Sequence, residues 1–208
     1  MPSPTDFNLS PYFDDFSESK KFHRVLFRPA FAVQARELTQ SQTILQNQIE
    51  KFGDHMFKQG SIVIPGGVAF DDKYYAVKLT SISSSNTLAQ FTTGTIITGG
   101  TSGVVAEIIN TAALSGSDPD TLYVKYEKTG SNNTSFVFSD GETITGTNSD
   151  SVALSAVVNT TATGSAAIGS AGTYYLNGFF VQADAETLIL DKYTNTPSYR
   201  IGYIVTES

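Results

Sequence analysis

A nine-residue pattern occurs twice in this chain. Phe91-Thr-Thr-Gly94-Thr-Ile-Ile97-Thr98-Gly99 and Phe138-Ser-Asp-Gly141-Glu-Thr-Ile144-Thr145-Gly146 share Phe-x-x-Gly-x-x-Ile-Thr-Gly. Each copy continues through a short polar turn into an apolar, β-prone run, VVAEIIN at 104–110 and ALSAVVN at 153–159. Such a unit, spanning 91–110 and again 138–159, reads as a β-hairpin. Gly94 and Gly141 are expected at entry turns, and Gly99 and Gly146 at hairpin tips, where a positive φ costs glycine little. Between the copies, TLYVKYEKT at 121–129 is a strand bracketed by loop residues at 118–120 and 130–133. Two hairpins and this strand predict a small antiparallel barrel or sandwich.

The repeat decides how the composition is read. Only 16 % of the 208 residues are charged, against about 25 % in an average soluble domain. Ser and Thr, roughly a quarter of the chain, supply the polarity, and they crowd into 84–165. Without the repeat, that stretch would pass for a disordered low-complexity segment. With it, 84–165 reads as an inserted β domain. The flanking β domain is then 58–83 plus 166–208, since SIVIPGGVAFDD before the insertion is echoed by TYYLNGFFVQAD after it. In this flanking part SIVIP, VAF, YYAVKLTSI, ETLILD and YRIGYIVTE read as strands, with Asp71-Asp72-Lys73 as a turn. The last strand ends without a polar tail, as expected of a module cut from, or followed by, something larger, or of a short protein that ends there.

Ahead of these strands lie two further segments. Residues 1–30 read as an extended arm, because Pro2, Pro4, Pro11 and Pro29 each remove a helical hydrogen bond. The arm is also aromatic, with Phe13, Phe16, Phe22 and Phe27 among its apolar residues. That content requires burial, either against its own domain or against a neighbouring subunit. Residues 31–57 read as the one helix, with Pro29 in its first turn and Gly60 as its stop. Leu38, Leu45, Ile49, Phe52 and Met56 form a heptad-like stripe, with Ala35 and Gln42 completing it. The stripe packs either on the following sheet or in a symmetric bundle between subunits, with Gln42 as a register-setting layer. The fold class expected is therefore α+β, mainly β: arm, one long amphipathic helix, antiparallel strands and an inserted barrel or sandwich.

Chemistry is sparse. No cysteine is present, which excludes thiol catalysis and Cys-ligated metals. The two histidines stand apart, His23 in a cationic-aromatic stretch and His55 near the helix end. Asp14-Asp15 and Asp71-Asp72 are read as turn and solvated acids. Asp118 and Asp120 lack the spacing of a calcium loop. No catalytic, cofactor-binding or metal-ligating residue is nominated, no cofactor is implied, and the chain is not read as an enzyme. The net charge of −7, with no basic run, gives no footprint for nucleic acid. No stretch approaches a membrane span, and the N-terminus shows no charged-then-apolar signal pattern.

The segments Tyr12-Phe-Asp-Asp-Phe16, Lys21-Phe-His-Arg-Val-Leu-Phe-Arg-Pro29, Gln34-Ala-Arg-Glu-Leu-Thr-Gln40 and Leu45-Gln-Asn-Gln-Ile-Glu-Lys-Phe-Gly53 carry a resemblance. They resemble the N-terminal region of virion structural proteins of tailed bacteriophages, especially large myoviruses of cyanobacteria. Gly60-Ser-Ile-Val-Ile-Pro-Gly66 and the segment 187–202 fit the same pattern. The resemblance implies a tail-fibre-like or baseplate-associated structural protein, located in the virion tail and assembled in the host cytoplasm. It implies other tail or baseplate proteins as partners, a homotrimer, and relatives that are often longer.

The residues then point to an assembly or anchoring module. It acts by burying Phe13, Phe16, Phe22, Phe27, Leu38, Leu45, Ile49, Phe52 and Met56 between subunits. A carbohydrate-binding module is the alternative, with Tyr123, Tyr126, Tyr174 and Tyr175 as aromatic platforms. A depolymerase fragment has no carboxylate pair to support it.

Overall fold

The computed structural model describes residues 6–206, so Pro2 and Pro4 of the arm lie outside the described residues. In chain order the elements are α1 (Ala35–Met56), β1 (Ser61–Ile64), β2 (Val68–Ile82), β3 (Ile96–Gly99), β4 (Val105–Ala112), β5 (Thr121–Lys128), β6 (Thr143–Thr147), β7 (Ala153–Gly169), β8 (Gly172–Leu176), β9 (Phe179–Ala183) and β10 (Glu186–Asp191). The fold is α+β and mainly β, with one α-helix among the described residues and antiparallel sheets. Two compact units divide it. One holds the chain up to 68, 169–186 and 202 onward; the other holds 69–168 and 187–201.

The second unit is a closed β-barrel. Its strands follow one another as β7-β2-β5-β4-β3-β6, and β6 pairs again with β7, so no edge is left within the ring. β10 adds outside it on β7. The repeat explains the closure. β3 and β6 lie antiparallel with Ile97 opposite Gly146, Thr98 opposite Thr145 and Gly99 opposite Ile144. Each residue thus faces its counterpart's mirror position, and a local two-fold axis passes through the Thr98–Thr145 pair. The hydrogen bonds repeat as well. The Gly94 N–H donates to the Ile108 carbonyl at 2.8 Å, and the Gly141 N–H to the Val158 carbonyl at 2.9 Å. Both glycines have positive φ, +86° and +77°, as the entry turns require.

Gly99 and Gly146 differ from expectation. They sit in β3 and β6, not at tips, and neither has a positive φ. Space is what selects them: a Cβ on Gly146 would lie 2.5 Å from the Ile96 carbonyl oxygen, and one on Gly99 2.7 Å from the Glu142 carboxylate. The barrel interior is filled by Phe91 and Phe138, the first residues of the two copies, with Ile97, Ile144, Leu122 and Val124. On the other face of β2 and β5, Tyr74 stacks on Tyr123 at 4.8 Å beside Ala76 and Ala166.

The boundary of the barrel also differs. The expected insertion was 84–165, yet β2 and β10 belong to the same sheet as the hairpins. β2 runs unbroken through Asp71-Asp72-Lys73, where a turn was expected. The acids form no turn there because a hydrogen-bonded strand tolerates side chains that alternate into solvent. Its alternation then buries Val77 and Leu79 on the barrel side and Tyr74 and Ala76 on the other.

The first unit pairs β1, β8 and β9 as an antiparallel sheet, with Ser61 opposite Tyr175 and Tyr175 opposite Phe180. The alternating YRIGYIVTE segment was expected as a strand. Its described residues form none, because side-chain alternation sets faces but cannot supply a ladder partner.

Candidate interaction surface

The helix starts later than its sequence suggests. Pro29 stands in a turn with Ala30 at φ +66°, and α1 begins at Ala35. The start is set by Gln34 and Glu37: the Gln34 N–H donates to the Glu37 carboxylate at 3.0 Å. At the far end the Phe57 N–H closes on the Gly53 carbonyl at 2.7 Å, before Gly60 is reached.

Along α1, Ala35, Leu38, Gln42, Leu45, Ile49, Phe52 and Met56 follow one another at alternating spacings of three and four. These are the a and d positions of three heptads. Packing on the chain's own sheet, one of the two readings of the stripe, is not what the structure holds. Leu38, Leu45, Ile49, Phe52 and Met56 are between 44 % and 64 % exposed, and Ala35 and Gln42 are exposed too. The buried residues of α1 are Gln40, Ile44 and Gly53, at heptad positions f, c and e, off the a and d stripe.

Two neighbours cover that side of the helix. The first is β8. Tyr175 is fully buried, and the one proton of its hydroxyl is shared between the Asp54 carboxylate at 2.9 Å and the Glu50 carbonyl at 3.0 Å. Burial, then the bond to Asp54, push this phenol up to about 12. The Gln46 amide also donates to the Gly178 carbonyl at 2.9 Å.

The arm is the second neighbour, and it is held by its acids. Thr43 donates its hydroxyl to buried Asp14, which also accepts from the Phe16 N–H at 3.1 Å. Asp15 accepts from Gln40 at 3.0 Å and pairs with Lys20 and Arg36. Glu18 accepts from Asn47 at 2.8 Å and pairs with Lys51 at 3.1 Å. The Lys20 hydrogen bond, followed by the Arg36 charge, holds the Asp15 carboxyl below its usual range, and Asn47 with Lys51 does the same for Glu18. The sequence reads Asp14-Asp15 as turn or solvated acids; instead they latch the arm to α1. The missed signal was a donor stripe, Arg36, Gln40, Thr43, Asn47 and Lys51, running at helical spacing opposite the apolar one.

The arm's aromatics are left outward. Phe13, Phe22 and Phe27 are about half exposed, and Phe16 is half-buried. The structure therefore keeps the nine nominated side chains on one unit, largely uncovered, rather than packed into its core. The proposed glycan platforms fare differently. Tyr123 and Tyr175 are fully buried, and Tyr126 packs on Phe138 at 5.4 Å, so these rings do not form an exposed platform.

Other candidate groups are dispersed. Asp118 pairs with Lys192 at 2.9 Å, and Asp120 accepts from the Leu114 N–H at 2.8 Å. Among the described residues no group of three or more His, Asp or Glu is placed to hold a metal. No helix among them is long and apolar enough to cross a membrane. A second buried carboxylate serves the barrel. Glu142 accepts from the N–H groups of Thr101, Ser102 and Ser139 and from the Ser102 hydroxyl, at 2.6–3.0 Å. Burial alone would raise its pKa, but these four donors together hold it below the usual value.

Residues 10–97 match the model of a family described as a domain of unknown function, DUF4815. The match runs from the arm through α1, β1 and β2 into the first strand of the repeat. No curated protein and no solved structure matches the chain.

Proposed function

We propose that this chain is a structural assembly module of a phage virion, anchoring part of the tail baseplate or a tail fibre. It works by burying the α1 stripe and the arm's aromatics against neighbouring subunits, with no catalytic step, and its own assembly is a homotrimer. The supporting observation is the inverted helix: α1 turns its polar face to its own unit and its apolar face outward. Fully burying one Leu, Ile, Phe or Met side chain stabilises by about 1.5–3 kcal/mol. Leaving five of them uncovered on one helix is unfavourable for an isolated chain and favourable for an associating one. The virion setting and the trimer are supported by the resemblance of the arm and helix segments, and by that alone.

Light scattering on the purified chain tests this reading. A mass of several chains, reduced by deleting 1–30, is expected. A compact folded monomer at high concentration, unchanged by that deletion, contradicts it.

A further inference from the structure

The exposed helix face specifies its own partner. We infer that α1 forms a parallel, in-register coiled coil with α1 of further copies of this chain, closing on the Gln42 layer. This rests on the assembly reading above and goes further by naming the contact and its orientation.

Four observations carry it. First, the exposed apolar residues of α1 fall only at strict a and d spacing, which is the seam of a coiled coil; a helix packed on a sheet needs a broader apolar face. Second, positions off the seam are already taken within the chain. Arg36, Gln40, Thr43, Asn47 and Lys51 hold the arm, and Gln46, Glu50, Gly53 and Asp54 meet β8 and the turn after it. None of these contacts uses a seam residue. Third, the described residues contain one α-helix, so none of them supplies a matching seam. Fourth, the flanking e and g positions are Thr39, Ser41, Gln46, Gln48, Gly53 and His55, with no acid and no Lys or Arg. Identical copies therefore meet without like-charge repulsion, and no charge pattern calls for a different partner.

Gln42 fixes the direction. It is the one polar residue in the seam. In a parallel, in-register arrangement the Gln42 amides of the copies meet, and each supplies both a donor and an acceptor to the next. An antiparallel arrangement layers an a residue with d residues, so it sets Gln42 against an apolar side chain such as Leu45 or Phe52 and leaves a buried amide without a partner.

The absence of cysteine makes the test direct, because each introduced thiol reports alone. Leu38→Cys and Phe52→Cys place thiols at d positions near opposite ends of the seam, and Leu114→Cys serves as an exposed control in the barrel unit. Each full-length protein is oxidised alone, and Leu38→Cys is also oxidised after unfolding and refolding with Phe52→Cys. The parallel seam predicts that each seam variant crosslinks to itself at least about tenfold faster than Leu114→Cys, because association raises the local thiol concentration. Crosslinking only in the mixed sample overturns the parallel arrangement. Crosslinking no faster than the control, in a sample that light scattering shows to be multimeric, overturns the seam while leaving the assembly reading intact. A monomeric sample overturns both.

Discussion

Gly53 of α1 and Tyr175 of β8 share one space. A Cβ added to Gly53 would lie 2.5 Å from the ring Cζ and 2.6 Å from the hydroxyl oxygen of Tyr175. The missing side chain lets the phenol reach past the helix backbone to Asp54 and the Glu50 carbonyl. This contact sets which way α1 faces: with the Gly53 edge pressed on β8, Leu45, Ile49, Phe52 and Met56 point away from the sheet.

Gly53→Ala is accordingly expected to destabilise the first unit. Alanine gains up to about 1 kcal/mol in helix propensity. The clash with a ring that is packed on Phe57 and Phe180 costs about 1–3 kcal/mol. Tyr175→Phe keeps the ring, loses the shared hydrogen bond, and is expected to cost about 1–3 kcal/mol. Urea denaturation followed by circular dichroism at 222 nm checks both. A Gly53→Ala protein more stable than the parent would mean the helix does not sit on Tyr175.

The barrel should weaken in acid through Glu142. Its folded-state pKa lies below the ordinary 4.5. A carboxylate shifted this way adds stability that is fully present above its ordinary value and is lost as pH falls through the folded-state one. Glu142→Gln keeps one acceptor oxygen and sets an amide donor against the donors of Ser102 and Ser139. It is expected to cost about 1–3 kcal/mol at neutral pH. The gap to the parent should shrink on acidification towards about pH 3. Denaturation curves at the two pH values test this, and a gap that stays constant would contradict the role given to the carboxylate.

The arm should detach before the helix unfolds. Asp14→Ala removes the acceptor for Thr43 and the Phe16 N–H, a loss of about 1–3 kcal/mol for hydrogen bonds to a charged group. Limited proteolysis is expected to cut faster within residues 14–34, with helical signal retained. Acid should act the same way. The pKa values of Asp15 and Glu18 are lowered in the folded chain, so their contribution is present above the usual carboxylate range and lost as pH falls below it. Unchanged cleavage in Asp14→Ala would show that the arm is held by something other than its acids.

The repeat made the barrel legible because its information is local. Positions Gly94 and Gly141 announce turns wherever the copies are placed. The closure through Thr98 and Thr145 was not legible, since pairing between copies depends on strands far apart in sequence. The helix shows the same limit. A 3-4 spacing states which residues share a face, but not whether that face is covered. Leu45 and Ile49 face outward only because Gly53 admits Tyr175 and because Asp14, Asp15 and Glu18 claim the opposite side. Acids adjacent in the chain reveal nothing of partners twenty-five or more residues away, such as Gln40 and Thr43.

The central claim is that the outward stripe of α1 holds copies of the chain together. Leu45→Asp combined with Ile49→Asp puts charge into the seam and leaves the donors that hold the arm and the Gly53–Tyr175 contact unaltered. Light scattering of the parent should give a mass of several chains, and of the double variant the mass of one chain with its helical signal intact. Equal masses for the two proteins would contradict the account.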